Sequence, residues 1–212
     1  MFILINIQKV TKQVKIMKGS RPLTRHQVKQ VLSVTESIRE KTLLTLGFCT
    51  GYRVSELLSL TVGDVSTGGA VHSHVSVKAS NTKTKTGRSV LLNSDAKKAL
   101  SNLLQWLSAK GLTDKATPLF LSRKRTATGE NKAINRQQAH EIIKALFAKI
   151  GEFGNVSTHT MRKTFAKAIY DNVGGKIELV QIALGHKSIN STISYLMFNN
   201  DDVDNAITAM EY

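Results

Sequence analysis

Residues 157–196 read STHTMRKTFAKAIYDNVGGKIELVQIALGHKSINSTISYL, and this stretch decides the fold. Apolar residues recur along it at the spacing of amphipathic helices. Glycines interrupt the pattern at Gly174, Gly175 and Gly185. We therefore predict helices over residues 160–171 and 177–184, and a last helix that carries a tyrosine. The same stretch contains two imidazoles, a guanidinium and a phenol: His159, His186, Arg162 and Tyr195.

The residues before this stretch extend the helical pattern around one short hairpin. Apolar periodicity predicts helices at about residues 24–34, 39–49, 55–60, 95–110 and 135–150. The alternating VHSHVSVK and the segment 88–92 read as two strands, joined by the polar turn ASNTKTKTG. The fold class is therefore mainly α (α+β), a helical domain with one small antiparallel sheet. We divide it into an N-terminal appendage (1–22), a folded body (23–200) and an acidic tail (201–212).

The charge balance indicates a polyanionic partner. There are 30 Lys and Arg residues against 15 Asp and Glu, which gives a net charge of +15 and a pI near 10.0. In a folded domain such a surplus usually means nucleic acid. The tail contains acidic residues and no basic ones, so the basic surface belongs to the body. The lone Cys49 excludes an internal disulfide and a multi-cysteine zinc site. The apolar start MFILINI is shorter than the ~20 residues of a membrane span.

Several side chains are of the types that act on a phosphodiester. A guanidinium donates to two phosphate oxygens at once, and Arg53 lies where a short helix begins. Arg162 follows His159 by one helical turn, so both share one helix face. The phenol of Tyr195 becomes a nucleophile when a neighbouring base and cations assist its deprotonation. His186 follows a helix-ending glycine and is therefore expected at a turn. Taken alone, each of these residues is more often a surface contact or part of the core than a functional group.

The order of the motifs resembles a known family. TGYRVSELLSL, then a hairpin lysine, then HTMRKTFA and LGHKSINSTISY resemble the tyrosine recombinase (phage integrase) family over about residues 22–200. The resemblance implies the fold of that family's catalytic domain. It also implies a site-specific DNA recombinase that cleaves and rejoins DNA through a 3′-phosphotyrosyl intermediate, without ATP or metal. Arg53 and Arg162 would clamp the scissile phosphate. His159 would donate a hydrogen bond or act as acid or base, His186 would contact the same phosphate, and Tyr195 would attack the phosphorus.

The same resemblance implies supporting residues. The family protonates the leaving 5′-oxygen from a hairpin lysine; Lys85 is the better match, and Lys83 is the alternative. Glu56 matches an acidic position that supports the site, and we expect it to orient Arg53 or nearby groups and to take no part in the chemistry. Further DNA contacts are expected from basic side chains near these motifs: Lys83, Arg88, Lys163 and Lys187.

The resemblance also sets expectations for partners and location. We expect double-stranded DNA, a homo-oligomer (a dimer on one site and a tetramer in synapsis), an accessory DNA-bending protein, no cofactor and no membrane. The location is expected to be the cytoplasm, with a bacterial, archaeal or phage gene. The tail is expected to pack on protein, in its own or a neighbouring subunit. Many relatives carry a further N-terminal domain, so either this catalytic domain works alone or the sequence is truncated.

Two other activities stay open at this stage. One is a topoisomerase IB-like enzyme that relaxes DNA. The other is an inactive DNA-binding relative, although the presence of Tyr195 and of both clamp arginines argues against it.

Overall fold

Within residues 19–79, 87–124, 126–196 and 207–210, which the computed structural model describes, the chain forms nine helices and four short strands. The helices are α1 (Arg25–Ser33), α2 (Ile38–Thr50), α3 (Val54–Leu58), α4 (Val62–Val65), α5 (Ser94–Ser108), α6 (Arg136–Ala148), α7 (Thr158–Asn172), α8 (Ile177–Leu184) and α9 (Ile189–Leu196). The strands are β1 (Ser66–Thr67), β2 (Ala70–Val71), β3 (His74–Val77) and β4 (Arg88–Leu91).

Side-chain caps and glycines set the helix boundaries. The Thr24 hydroxyl accepts the Gln27 N–H, and the Gln27 side chain accepts the Thr24 N–H, which is the capping box predicted for α1. Asn93 caps α5 in a similar way by accepting the N–H of the third helical residue. At the other end, Gly51 and Gly185 end α2 and α8 with φ of 61° and 64°.

The predicted fold class is confirmed, and the antiparallel part is divided into two two-stranded sheets instead of one. β3 pairs with β4 in a register that places Val77 opposite Arg88. β1 pairs with β2, so Val71 belongs to β2 and not to the longer strand that the alternation predicted. α4, β1 and β2 were not predicted, because elements of two to four residues are too short to show a period.

Helix α2 runs through the core and positions the site. It is buried along most of its length and packs against α5 and α7. Its C-terminal Gly51 is in close contact with α7, since a Cβ there would lie 2.3 Å from Cδ1 of Phe165. This contact brings α7, which carries Arg162, next to the turn that leads to Arg53.

The buried apolar residues form two clusters. The larger one includes α2, α5 and α6 and extends to Met161 on α7. A smaller one lies between α7, α8 and α9 and contains Phe165, Ala166, Val180, Leu184 and Leu196. Helix α9, which carries Tyr195, packs mainly against α8 and α7. Helix α7 therefore belongs to both clusters.

The predicted appendage and tail lie mostly outside the described residues. At the described end of the appendage, Ser20 Oγ lies 2.5 Å from Ser157 Oγ, and Arg21 forms an ion pair with Glu152. In the tail, Ile207 and Met210 are exposed, and the packing of the tail on protein stays a prediction. None of the helices in the described part of the chain has the length and apolar character needed to cross a membrane.

Candidate active site

Arg53 lies at the N-terminus of α3 and is bound by Glu56. Glu56 Oε2 accepts the Arg53 backbone N–H, and Oε1 accepts from Nη1, both at 2.8 Å. This is the i, i+3 geometry of a capping box, which explains why an acid follows the arginine by three residues. Glu56 is 3% exposed, whereas the Arg53 side chain is 23% exposed. The ion pair therefore fixes the guanidinium at the edge of the fold, where solvent and ligands reach it.

Arg162 lies on the buried face of α7 and is 1% exposed. Its Nη1 donates to the carbonyl of Gly51 at 2.5 Å, and its Nη2 donates to the carbonyl of Leu184 at 2.7 Å. These carbonyls belong to the C-terminal ends of α2 and α8, where helices lack internal donors. Its Nε is buried and has no hydrogen-bond partner among the described residues. One guanidinium thus joins two helix ends.

Arg53 and Arg162 lie in the same positively charged cluster. The pKa of Arg162 is lowered to about 10, first by burial and then by the charges of Arg53 and Arg88. No ion pair between Arg162 and a carboxylate is found within the described residues. The fold therefore brings the two predicted clamp arginines together with one carboxylate, Glu56, and the net positive charge that remains favours an anion beside them.

Tyr195 lies beside the histidines and Arg162. Its Oη is 3.4 Å from Nδ1 of His159. Its ring meets the His186 ring edge-on, with centroids 5.1 Å apart and an interplanar angle of 64°. The guanidinium carbon of Arg162 lies 5.7 Å from the centroid of the Tyr195 ring. All four groups of residues 157–196 therefore meet in one place.

Both histidines have lowered pKa values. Burial lowers the pKa of His186 to about 4, assisted by the charges of Arg162, Arg53 and Arg88, and its Nδ1 lies 3.0 Å from Oγ1 of the buried Thr192. Partial burial also lowers the pKa of His159, followed by the effects of nearby Arg and Lys side chains. The two rings are therefore neutral at pH 7, and each keeps a nitrogen that can accept a proton.

The other predicted residues divide into three groups. Lys163 lies 5.9 Å from the centroid of the Tyr195 ring, and Lys187 is exposed next to His186. Arg88 turns inward instead of lying on an exposed hairpin face, and its Nη2 donates to the carbonyl of Thr50 at 2.5 Å. Lys83 and Lys85 lie outside the described residues, so the choice between them as proton donor stays a prediction.

Sequence reasoning missed two neighbours of the histidines. Thr192 hydrogen-bonds His186, and its position three residues before Tyr195 on α9 was an available signal that it shares the inner face. Arg136, the first residue of α6, acts electrostatically on His159, and no pattern in the sequence indicated this.

Strand histidines do not form a metal cluster in the described part of the chain. His72 Nε2 bonds the Thr67 hydroxyl, and His74 Nδ1 bonds the Ser73 hydroxyl. No group of three or more His, Cys, Asp or Glu side chains in metal-binding proximity is found among the described residues.

A helical domain that sets a tyrosine beside two histidines and a cluster of arginines has the architecture of a tyrosine recombinase catalytic domain. The sequence model of the phage integrase family matches residues 21–201. The chain belongs to this family.

Relatives and solved structures agree with this membership. The chain is 32% identical over 189 residues to the tyrosine recombinase XerC of Roseiflexus sp. strain RS-1, covering 85% of this chain and 56% of the relative. It is 32% identical over 163 residues to the tyrosine recombinase XerD of Oceanobacillus iheyensis, covering 75% and 50%. It therefore spans about half the length of these relatives.

The fold is also found in solved structures. The crystal structure of XerA recombinase superposes with a TM-score of 0.70 at 24% identity and covers 92% of this chain and 66% of that one. The XerH site-specific recombinase bound to its palindromic difH substrate superposes with a TM-score of 0.67 at 23% identity, covering 91% and 54%.

Proposed function

We propose that this chain is the catalytic part of a site-specific DNA recombinase that cleaves and rejoins double-stranded DNA through a 3′-phosphotyrosyl intermediate. The observation that carries the proposal is the position of Tyr195. Its hydroxyl lies 3.4 Å from a neutral histidine nitrogen, and its ring lies 5.7 Å from the buried guanidinium of Arg162. A phenol, a base and a cationic phosphate pocket are the groups that nucleophilic phosphoryl transfer needs.

In the proposed reaction, Arg53 and Arg162 bind the non-bridging oxygens of the scissile phosphate, and their charge stabilises the transition state. Tyr195 Oη attacks the phosphorus and passes its proton to His159. His186 supports the same phosphate. The bond from phosphorus to the 5′-oxygen breaks, and that oxygen takes a proton from Lys85 or Lys83. A 5′-hydroxyl later attacks the phosphotyrosine and restores the DNA backbone, so one phosphodiester replaces another and ATP is not needed.

The assembly follows from the chemistry. Each copy has one nucleophilic tyrosine, and exchange between two duplexes breaks four strands, so we propose a dimer on one site and a tetramer in synapsis. The net charge of +15 supports DNA as the partner. A solved structure with a similar fold, the Tn1549 transposon integrase in complex with transposon right end DNA, supports the same partner. Action on cytoplasmic DNA and an accessory DNA-bending protein stay predictions.

The test is to trap the covalent intermediate. Purified protein is incubated with DNA that flanks its own gene, and the attachment point is mapped. A duplex with a nick next to that point then serves as a suicide substrate, because the short fragment diffuses away. We expect a denaturant-resistant protein–DNA adduct with wild type and none with Tyr195→Phe.

A second tyrosine gives the matched control. Tyr170 packs against the same small cluster as Tyr195, so Tyr170→Phe should keep the adduct. An adduct that persists in Tyr195→Phe contradicts the assignment of the nucleophile. If the protein relaxes supercoiled plasmid without joining two sites, its activity is that of a topoisomerase-like enzyme and not of a recombinase.

A further inference from the structure

Arg88 contacts both turns that lead to the site. Its Nη2 donates to the carbonyl of Thr50, next to the glycine whose carbonyl binds Arg162. Its Cδ lies against Gly185, since a Cβ at that glycine would be 3.1 Å from it. Gly185 directly precedes His186. Arg88 and Arg162 therefore both contact the same two helix ends, those of α2 and α8.

Tyr52 completes the contacts of Arg88. The guanidinium carbon lies 4.8 Å from the centroid of the Tyr52 ring, which is fully buried. The Tyr52 hydroxyl bonds the carbonyls of Val75 at 2.7 Å and of Arg88 itself at 2.8 Å. Since Tyr52 is followed directly by Arg53, the Arg88 side chain limits where the Arg53 backbone lies.

The charge of Arg88 is not directly paired, although the Glu56 carboxylate is near enough to oppose the lowering of its pKa by burial. No ion pair of Arg88 with a carboxylate is found within the described residues, and its Nη1 is buried without a hydrogen-bond partner among them. Burial lowers the pKa of Arg88. A buried charge without a partner is costly, and an apolar residue of similar length in this place would avoid the cost. The arrangement is therefore better explained by an anion in the site than by the stability of the fold.

We propose that Arg88 is a positioning residue for the phosphate site. It holds the turn that leads to Arg53 against the turn that leads to His186. Its charge is neutralised when the phosphate binds. The inference rests on the proposed function. It differs from the DNA contact expected from the sequence, because the guanidinium points into the protein.

Two substitutions test this. Arg88→Met keeps the length of the side chain and removes the charge and the donors. We expect the single-turnover cleavage rate at saturating enzyme to fall by up to ~100-fold, as for small displacements of reacting groups. Arg88→Lys keeps the charge but loses the planar fork, so we expect a smaller loss of about tenfold. DNA affinity, measured in the Tyr195→Phe background, should change less than about threefold.

Stability separates positioning from a merely structural role. The melting temperature of Arg88→Met should equal or exceed that of wild type, because an uncompensated buried charge is removed. Arg39→Met is the matched control. Arg39 also donates to a backbone carbonyl, that of Leu121, but it is paired with Glu40 and lies outside the site. Its loss should lower the melting temperature and leave cleavage unchanged.

The experiment distinguishes the competing roles. Weaker DNA binding in Arg88→Met, with a salt dependence shallower by about 0.9 in slope, identifies a DNA phosphate contact and overturns the inference. A melting temperature that falls together with the rate identifies a structural residue. A DNA substrate with a 5′-bridging sulfur has a leaving group that needs no proton. If this substrate fully restores the cleavage rate of Arg88→Met, Arg88 supports the proton donor and not the arginine clamp, which overturns the inference. An unchanged rate also overturns the inference. If wild type forms no adduct, the proposed function fails and the inference fails with it.

Discussion

Replacing Glu56 with Gln tests whether this carboxylate holds Arg53 or takes part in the chemistry. Both of its oxygens accept hydrogen bonds from Arg53 at 2.8 Å. Gln keeps one acceptor and turns an amide NH₂ toward the second donor, so one charge-assisted bond of about 1.5–3 kcal/mol is lost. Because the Arg53 side chain is 23% exposed, screening reduces the loss to about 1–2 kcal/mol. The melting temperature should fall by about 2–8 °C for a domain of this size.

Calorimetry and single-turnover cleavage of the suicide substrate measure the two effects. We expect cleavage to fall by about tenfold, because Arg53 is then less well oriented. Asp64→Asn is the matched control, since Asp64 fills the same capping position in α4. Its Oδ2 alone accepts both the N–H and the hydroxyl of Thr61, at 2.9 Å each, and an amide oxygen can keep both bonds. A large loss of cleavage with an unchanged melting temperature would refute the supporting role and place Glu56 in the chemistry.

Three further predictions concern stability and pH. Gly51→Ala should lower stability by about 2–4 kcal/mol in urea unfolding, since φ is 61° and the new Cβ meets Phe165; at Gly111, with φ of 71° and open space, Ala should cost only about 1 kcal/mol. Lowering the pH from 6.5 to 4 should lower the melting temperature, because as the pH falls His186 is protonated in the unfolded state before it is protonated in the folded state. His186→Gln should reduce the slope of melting temperature against pH. An unchanged slope in His186→Gln would contradict this prediction. Arg162→Lys should lower both the melting temperature and the cleavage rate, because an ammonium does not span two helix ends; unchanged values of both contradict the role of the guanidinium.

Local chemistry explains which elements the sequence predicted. The bounds of α8 were predicted without error, because glycines flank an apolar period of two turns. The capping box at Thr24 predicted the start of α1. In contrast, the division of the strands depends on a bend at residues 72–73, where the His72 N–H bonds Val65 and the Leu92 N–H bonds Ser73. Those partners are distant in the chain, so no local pattern contains them.

The site was predicted less evenly than the fold. The resemblance supplied the motif residues, and the structure brings Arg53, His159, Arg162, His186 and Tyr195 together. The inward position of Arg88 was missed, although strand alternation contained a signal. Arg88 is two residues before Val90 on β4, and both lie on the less exposed face of that strand. The sequence prediction placed Arg88 among the basic residues of the hairpin surface and did not use this periodicity.

The two clusters of buried residues explain how the site is divided. Arg162 follows Met161, which packs in the larger cluster, and precedes Phe165, which packs in the smaller one. Arg162 is thus fixed between the two clusters and by backbone carbonyls, and Arg53 is fixed by Glu56, whereas Tyr195 is carried by an eight-residue helix on the smaller cluster. A small cluster holds its helix with less buried surface, so Tyr195 has more freedom of position than Arg162.

The arginines of the site differ in the groups that bind them. Within the described residues Glu56 forms an ion pair with the partly exposed Arg53, whereas Arg162 and Arg88 donate to carbonyls at helix C-termini. Those carbonyls carry partial negative charge, which is enough to orient a guanidinium but not enough to cancel it. At Arg162 and Arg88 a carboxylate in place of these carbonyls would neutralise the charge that, in the proposed function, binds the phosphate.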